Sequence, residues 1–266
     1  MFSLFSYAFM VRALIVGTLI ALCGGILGIT VVLKRYSMLG DGLSHVAFGA
    51  LAVASALNAA PLLVALPVSI AAAFLLLRIG DNTHIKGDAA IGLLSSASLA
   101  FGVIIVSVTG NGSDLNSYLF GSILALDMSD VWTAAVLALL VVVTCAANYN
   151  RIFAVTFDET FSRAIGLKAG LYNAVTALLT ALTIVIGMRV MGALLISSML
   201  IFPALSAMRV CKTYRSVTIC AVVLSVFCFI AGLSVSYVWN LPAGAAVVAS
   251  NTIVFLLCSL VRKVRN

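Results

Sequence analysis

Charge is what this sequence has least of. Asp, Glu, Lys and Arg make up 9% of its 266 residues, and 64% of positions are hydrophobic, whereas roughly a quarter of an ordinary soluble domain is charged. With a mean hydropathy of +1.25, that scarcity excludes a soluble globular chain. Eight acidic residues, two histidines and four prolines are all there are, so each ionisable group needs a reason to be present.

Several catalytic and binding signatures are also missing. No G-x-x-x-x-G-K-[ST] occurs, so no phosphate cradle of that kind is available for a nucleoside triphosphate. There is no His-Glu-x-x-His, and Ser44 and His45 adjoin in sequence without sharing a helix face, which leaves no nucleophile constellation. The six cysteines (Cys23, Cys145, Cys211, Cys220, Cys228, Cys258) form no C-x-x-C; they read as small packing residues, not as a zinc knuckle or redox pair. A net charge of +7 without basic residues interleaved with aromatics gives no nucleic-acid footprint.

What is present is a series of long apolar runs. Separated by turn or charge signals, they predict about nine spans: 11–33, 42–58, 61–79, 89–109, 131–149, 170–188, 190–208, 217–237 and 242–261. A hydrocarbon core of ~30 Å needs about 20 helical residues per crossing, so residues 170–208 are expected as two spans broken near Gly187-Met-Arg-Val. The N-terminus lacks a basic leader region, and its apolar run continues past Gly28; it is expected as a full span, not a cleaved signal. If the Arg151–Ala169 loop lies inside, only Arg12 and Arg189 among the basic residues at these loops and ends fall outside. The positive-inside rule then puts the N-terminus out and the C-terminus in. The fold class expected is an all-α polytopic transmembrane bundle forming one domain over residues 1–266. Gly24-Gly25 and Gly28 suit close helix packing.

Four segments stand out. Asp41 and His45 lie four residues apart at the edge of the second span. Asp41 could be the helix N-cap with His45 merely packed. Alternatively, both could face a pathway, where a carboxylate and an imidazole suit a divalent transition metal. Two ligands do not close a site, but two copies would supply four, with Ser37 and Ser44 as weaker oxygen donors nearby. The second segment, Thr156–Gly166, reads as an amphipathic helix with a capping box from Thr156 to Glu159 and Gly166 as C-terminal cap. Its apolar face carries Phe157 and Phe161, and the helix suits either a membrane surface or a partner protein. In the third, Asp81, His84 and Asp88 either bind metal or are loop residues, with Asp88 capping the fourth span. The last is the acidic stretch with Asp114, Asp127 and Asp130, either a solvated loop or a cation-attracting one. Within it, Tyr118-Leu-Phe-Gly121 is apolar enough to be buried against protein.

Taken together, these stretches resemble a known family. Lys34-Arg-Tyr-Ser-Met-Leu-Gly-Asp41-Gly-Leu-Ser-His45, Gly87-Asp-Ala-Ala-Ile-Gly92, Tyr118-Leu-Phe-Gly-Ser-Ile-Leu124, Gly192 through Pro203-Ala, and Leu241-Pro-Ala-Gly244 are similar, in order, to markers of the ABC-3 permeases. These are the membrane subunits of bacterial ABC importers for zinc and manganese. The resemblance implies a non-enzymatic transport subunit in the bacterial cytoplasmic membrane, without a cofactor of its own. It further implies a homodimer that works with a separate cytoplasmic ATPase subunit and an extracytoplasmic metal-binding protein. Asp41 and His45 match the family's metal-pathway positions. Thr156–Gly166 matches its coupling helix, with Phe157, Asp158, Glu159, Phe161 and Arg163 as ATPase-coupling residues. Gly42 departs from the family's usual Ala or Thr and is expected to loosen the helix there, by up to ~1 kcal/mol relative to Ala. Met188 through Pro203 looks more like the zinc importers than the manganese ones. The competing readings are a gradient-driven secondary metal transporter and an intramembrane metal-dependent enzyme.

Overall fold

The computed structural model describes residues 8–36, 38–82, 87–109 and 126–265. Among these, every regular element is helical: α1 (Ala8–Leu33), α2 (Leu39–Ala56), α3 (Pro61–Asn82), α4 (Gly87–Thr109), α5 (Met128–Ala147), α6 (Tyr149–Phe157), α7 (Glu159–Ala164), α8 (Ala169–Met191), α9 (Ala193–Val210), α10 (Tyr214–Trp239) and α11 (Ala243–Arg265). The nine long helices coincide with the nine runs expected from sequence. Eight of them are long and apolar enough to cross a membrane, and α3 contributes a shorter apolar stretch, Pro61–Leu76.

The break between the sixth and seventh runs falls at Gly192, not near Gly187 as expected. Gly192 takes φ +85, a conformation that costs glycine little and ends α8. Gly187 stays helical because a side chain there would meet Ile196 Cδ1 at 2.6 Å, so it serves packing.

The bundle centres on α1, which packs against α5, α8, α9 and α10, while α2 packs against α3, α4, α8 and α9. Val16, Ile20 and Leu27 of α1, Leu43 of α2, Leu179, Ile184 and Met188 of α8, and Ile196, Met199 and Leu200 of α9 form the fully enclosed interior. Helix axes come close where side chains are missing. A Cβ on Gly28 would stand 2.0 Å from the Leu200 carbonyl oxygen, and one on Gly25 2.8 Å from Val222 Cα. In lipid, where apolar surface gains nothing by leaving hydrocarbon, such close backbone contact is a main source of helix association. Outward-facing Leu63, Phe101, Val108, Leu139, Leu256 and Leu260 suit hydrocarbon contact.

The two arginines expected on the outer side lie at the same end of the bundle, opposite residues 151–169. Arg12 donates to the Leu126 carbonyl oxygen at 3.2 Å. Arg189, near the end of α8, pairs with Asp130 of the first turn of α5 at 3.0 Å. Asp130 is therefore no solvated loop residue: it is buried, and its second oxygen accepts from the Asp127 backbone N–H at 3.1 Å. Asp114 and Tyr118–Gly121 lie outside the described residues.

Replacing Arg189 by Met strands the Asp130 carboxylate, with an expected loss of roughly 2–4 kcal/mol. The double variant Asp130→Asn/Arg189→Met should recover part of it. Thermal unfolding in detergent micelles checks both; an Arg189→Met chain as stable as the wild type contradicts the pairing.

Candidate metal-pathway site and the helix pair at the opposite end

α2 starts at Leu39 with Met38 as its N-cap, and no side chain caps it. Asp41 therefore stands in the first turn and is not the cap, which removes the capping alternative. One helical turn on, His45 lies on the same face, with Nε2 3.6 Å from Asp41 Oδ2. That is longer than a hydrogen bond, so both groups retain lone-pair capacity for a third party. The Asp41 side chain is 55% exposed and that of His45 24%, on the flank of a helix otherwise mostly buried. His45 Nδ1 is buried and has no hydrogen-bond partner. Ser44 is fully buried and donates to the Asp41 carbonyl oxygen at 2.7 Å; it is a helix hydroxyl and no ligand. Ser37 lies outside the described residues.

One chain brings only these two candidate ligands together among the described residues. Among the described residues no group of three or more His, Cys, Asp or Glu side chains comes together. Asp88 is exposed in the first turn of α4, while His84 and the side chain of Asp81 lie outside the described residues.

Gly42, expected to loosen α2, has a packing role there. A Cβ at that position would lie 2.3 Å from Ile91 Cγ2, so the glycine lets α4 press against α2 next to Asp41. Gly49 and Gly102 repeat the device further along: their Cβ positions would approach the Ser98 carbonyl at 2.8 Å and the Phe48 ring at 2.9 Å.

At the opposite end from Asp130, the expected Thr156–Gly166 helix is broken in two. Asp158 adopts an extended backbone (φ −144, ψ 97), and its carboxylate accepts the Phe161 N–H at 2.8 Å. It is the N-cap of α7, a role expected of Thr156. The Thr156 hydroxyl instead bonds back to the Ile152 carbonyl at 2.6 Å. The physical cause is that a short carboxylate competes for backbone N–H groups better than it continues a helix. Gly166 ends α7 as expected: at φ +83 it donates to the Arg163 carbonyl, and Leu167 donates to that of Ser162, a Schellman closure.

Phe157 and Phe161 are about 60% exposed. Phe157 is anchored from below by Phe153, ring centroids 4.8 Å apart, which in turn meets Tyr214 at 4.9 Å. Arg163 is exposed and bonds Glu159 at 2.5 Å. Glu159 itself turns towards its own chain. Its other oxygen accepts from Asn173 Nδ2 at 2.9 Å and lies 3.8 Å from Lys34 Nζ, and Lys34 donates to Asn173 Oδ1. Partial burial opposes ionisation of Glu159, but hydrogen bonds from Asn173 and Arg163 and the charges of Lys34 and Arg163 hold its carboxyl below the usual glutamate range. Asn173 carried no signal in sequence beyond being a lone amide in an apolar span.

Gly42→Ala is expected to destabilise the chain by driving α2 and α4 apart. Ile91→Leu, which removes the clashing Cγ2 at constant volume, should relieve part of that loss. A thermal double-mutant cycle reads the coupling; strictly additive effects contradict the contact.

Known proteins share both sequence and fold with this chain. The manganese transport system membrane protein MntC of Listeria monocytogenes is 31% identical over 97% of this chain and 92% of its own. The high-affinity zinc uptake system membrane protein ZnuB of Haemophilus influenzae is 29% identical over 92% and 94%. The solved structure of PsaBC from Streptococcus pneumoniae in complex with Fab superposes with a TM-score of 0.86 at 27% identity, over 99% of this chain and 97% of that one. With the family profile matching residues 6–262, the chain belongs to the ABC 3 transport family.

Proposed function

We propose that the chain is the membrane-spanning subunit of an ATP-driven importer of a divalent transition metal ion. The observation that carries this reading is the Asp41/His45 pair: a half-exposed carboxylate and an imidazole with spare lone pairs, on the flank of an apolar helix. A charge in that position is too costly to face hydrocarbon. It belongs on a water-filled path or against a second copy of the chain, and two copies bring two carboxylates and two imidazoles together. A metal ion released from an extracytoplasmic binding protein would be held there briefly and passed inward.

The same reading places the Arg151–Ala169 end in the cytoplasm, as the distribution of Lys and Arg requires. There Phe157, Phe161, Asp158 and Arg163 meet an ATPase carried on a separate chain. Exposed aromatics beside charged groups fit a protein groove better than an anionic lipid surface. The alternatives weighed from sequence, a gradient-driven carrier and an intramembrane enzyme, lose ground to membership in a family of ABC transport proteins.

For the ion, zinc is our reading, on the resemblance of residues 188–203 to zinc importers. Manganese is the second reading, supported by relatives such as MntC that are named for manganese transport. An imidazole-carboxylate site takes both.

Cells lacking their own importers, supplied with this chain, its ATPase and its binding protein, should accumulate zinc in preference to manganese. At matched expression, His45→Ala should reduce uptake to the level of cells without the chain. Uptake untouched by that substitution would make His45 a packing residue, uptake without the ATPase would favour a gradient-driven carrier, and a preference for manganese would reverse the ion assignment.

A further inference from the structure

We propose that Glu159 is the positioning residue of a latch that ties α7 to the junction between α1 and α2, so that displacement of α7 moves the helix carrying Asp41 and His45. The inference rests on α7 being the element that meets the ATPase.

Glu159 is the only glutamate in the sequence, and it bonds three ways. Arg163 holds one oxygen from within α7, whereas Asn173 of α8 and Lys34 at the end of α1 converge on the other. Asn173 sits between the two charges, donating to Glu159 and accepting from Lys34. The Lys34 side chain is 13% exposed and that of Glu159 30%, so the contact is partly sheltered from solvent and salt. Exposed pairs are worth little; a hydrogen-bonded triad at a protected site holds its geometry better.

Lys34 is well placed to act on α2. It directly precedes Arg35, whose φ of +61 is a left-handed conformation that a residue with a Cβ adopts at a cost of about 1 kcal/mol or more. This residue closes α1, with Arg35 donating to the Val32 carbonyl and Tyr36 to that of Val31. α2 starts shortly afterwards, at Leu39, and Asp41 lies in its first turn. A pull on Lys34 thus acts on a strained corner one short step from the metal ligands. α7 packs chiefly on α6 and α8, so the latch gives it a polar grip on the far side of α8. Beside the latch is a cavity of about 30 Å³ bordered by Thr30, Lys34, Tyr36 and Asn173, room for about one or two waters to solvate the groups as they part.

A purely structural contact would lower assembly, ATP hydrolysis and transport together. A latch separates them. The test uses proteoliposomes holding the full complex of this chain, its ATPase and its binding protein, with ATP hydrolysis and uptake of zinc and manganese ions measured on the same sample. Lys34→Met lies away from the ATPase-facing surface and is expected to leave ATP hydrolysis within about two-fold while uptake falls about five-fold or more, the low end of common coupling energies. Lys34→Arg, which keeps a cationic donor towards Asn173 and Glu159, should retain uptake close to the wild-type level.

Uptake unchanged in Lys34→Met overturns the latch, as does equal loss of hydrolysis and uptake in that variant, or a loss of uptake as large in Lys34→Arg as in Lys34→Met. A wild-type complex that moves neither ion with ATP overturns the transport reading instead, and is seen before any variant is made.

Discussion

A carboxylate that is half exposed on the side of an apolar bundle cannot be left to lipid, and that constraint organises the rest of this molecule. Asp41 and His45 need a polar space on one side of α2. The other sides of the helix are closed by α3, α4, α8 and α9, and Gly42, Gly49 and Gly102 remove the side chains that would keep α4 at a distance. Tight packing behind the pair fixes which way it faces. The half-exposed Asp41 carboxylate in front, with His45 Nε2 beside it, is what makes the position chemically useful.

The remaining charges follow the same logic of expense. At one end of the bundle Arg189 and Asp130 neutralise each other, and Arg12 is satisfied by a backbone carbonyl. At the other end Glu159, Asn173, Lys34 and Arg163 form a connected set in which Glu159 is bonded through both oxygens. Between these ends the helices meet through glycine, alanine and aliphatic side chains. Polar contacts therefore act as clamps at the two ends, while close packing at Gly25 and Gly28 and the Ser225–Ala21 hydrogen bond hold the middle.

Much of this was legible in the sequence because hydropathy reports burial in lipid directly. The nine runs became nine long helices, and the spacing of Asp41 and His45 placed both on one face. Local backbone chemistry was harder to read. Both Gly187 and Gly192 could break a helix, and only the close approach of Ile196 shows why Gly187 does not. Thr156 and Asp158 competed for the same cap, and the carboxylate won. Least legible were the contacts between distant residues. Lys34 and Asn173 are separated by 139 positions, and no periodicity in either segment announces that they meet. Lys34 read as a topology charge and the start of a family marker, and Glu159 as the capping-box partner of Thr156 and a coupling residue. Gly42 read as a weakness in α2 because its partner, Ile91, belongs to another span.

The central claim is that Asp41 and His45 from two copies of the chain hold the transported ion. Zinc K-edge X-ray absorption on the purified, zinc-loaded permease tests it most directly. The expected spectrum has a nitrogen and oxygen first shell near ~2.0 Å and imidazole outer-shell scattering that disappears in His45→Ala, with one ion bound per two chains. A sulfur shell near ~2.3 Å, or imidazole scattering that survives the substitution, would contradict it.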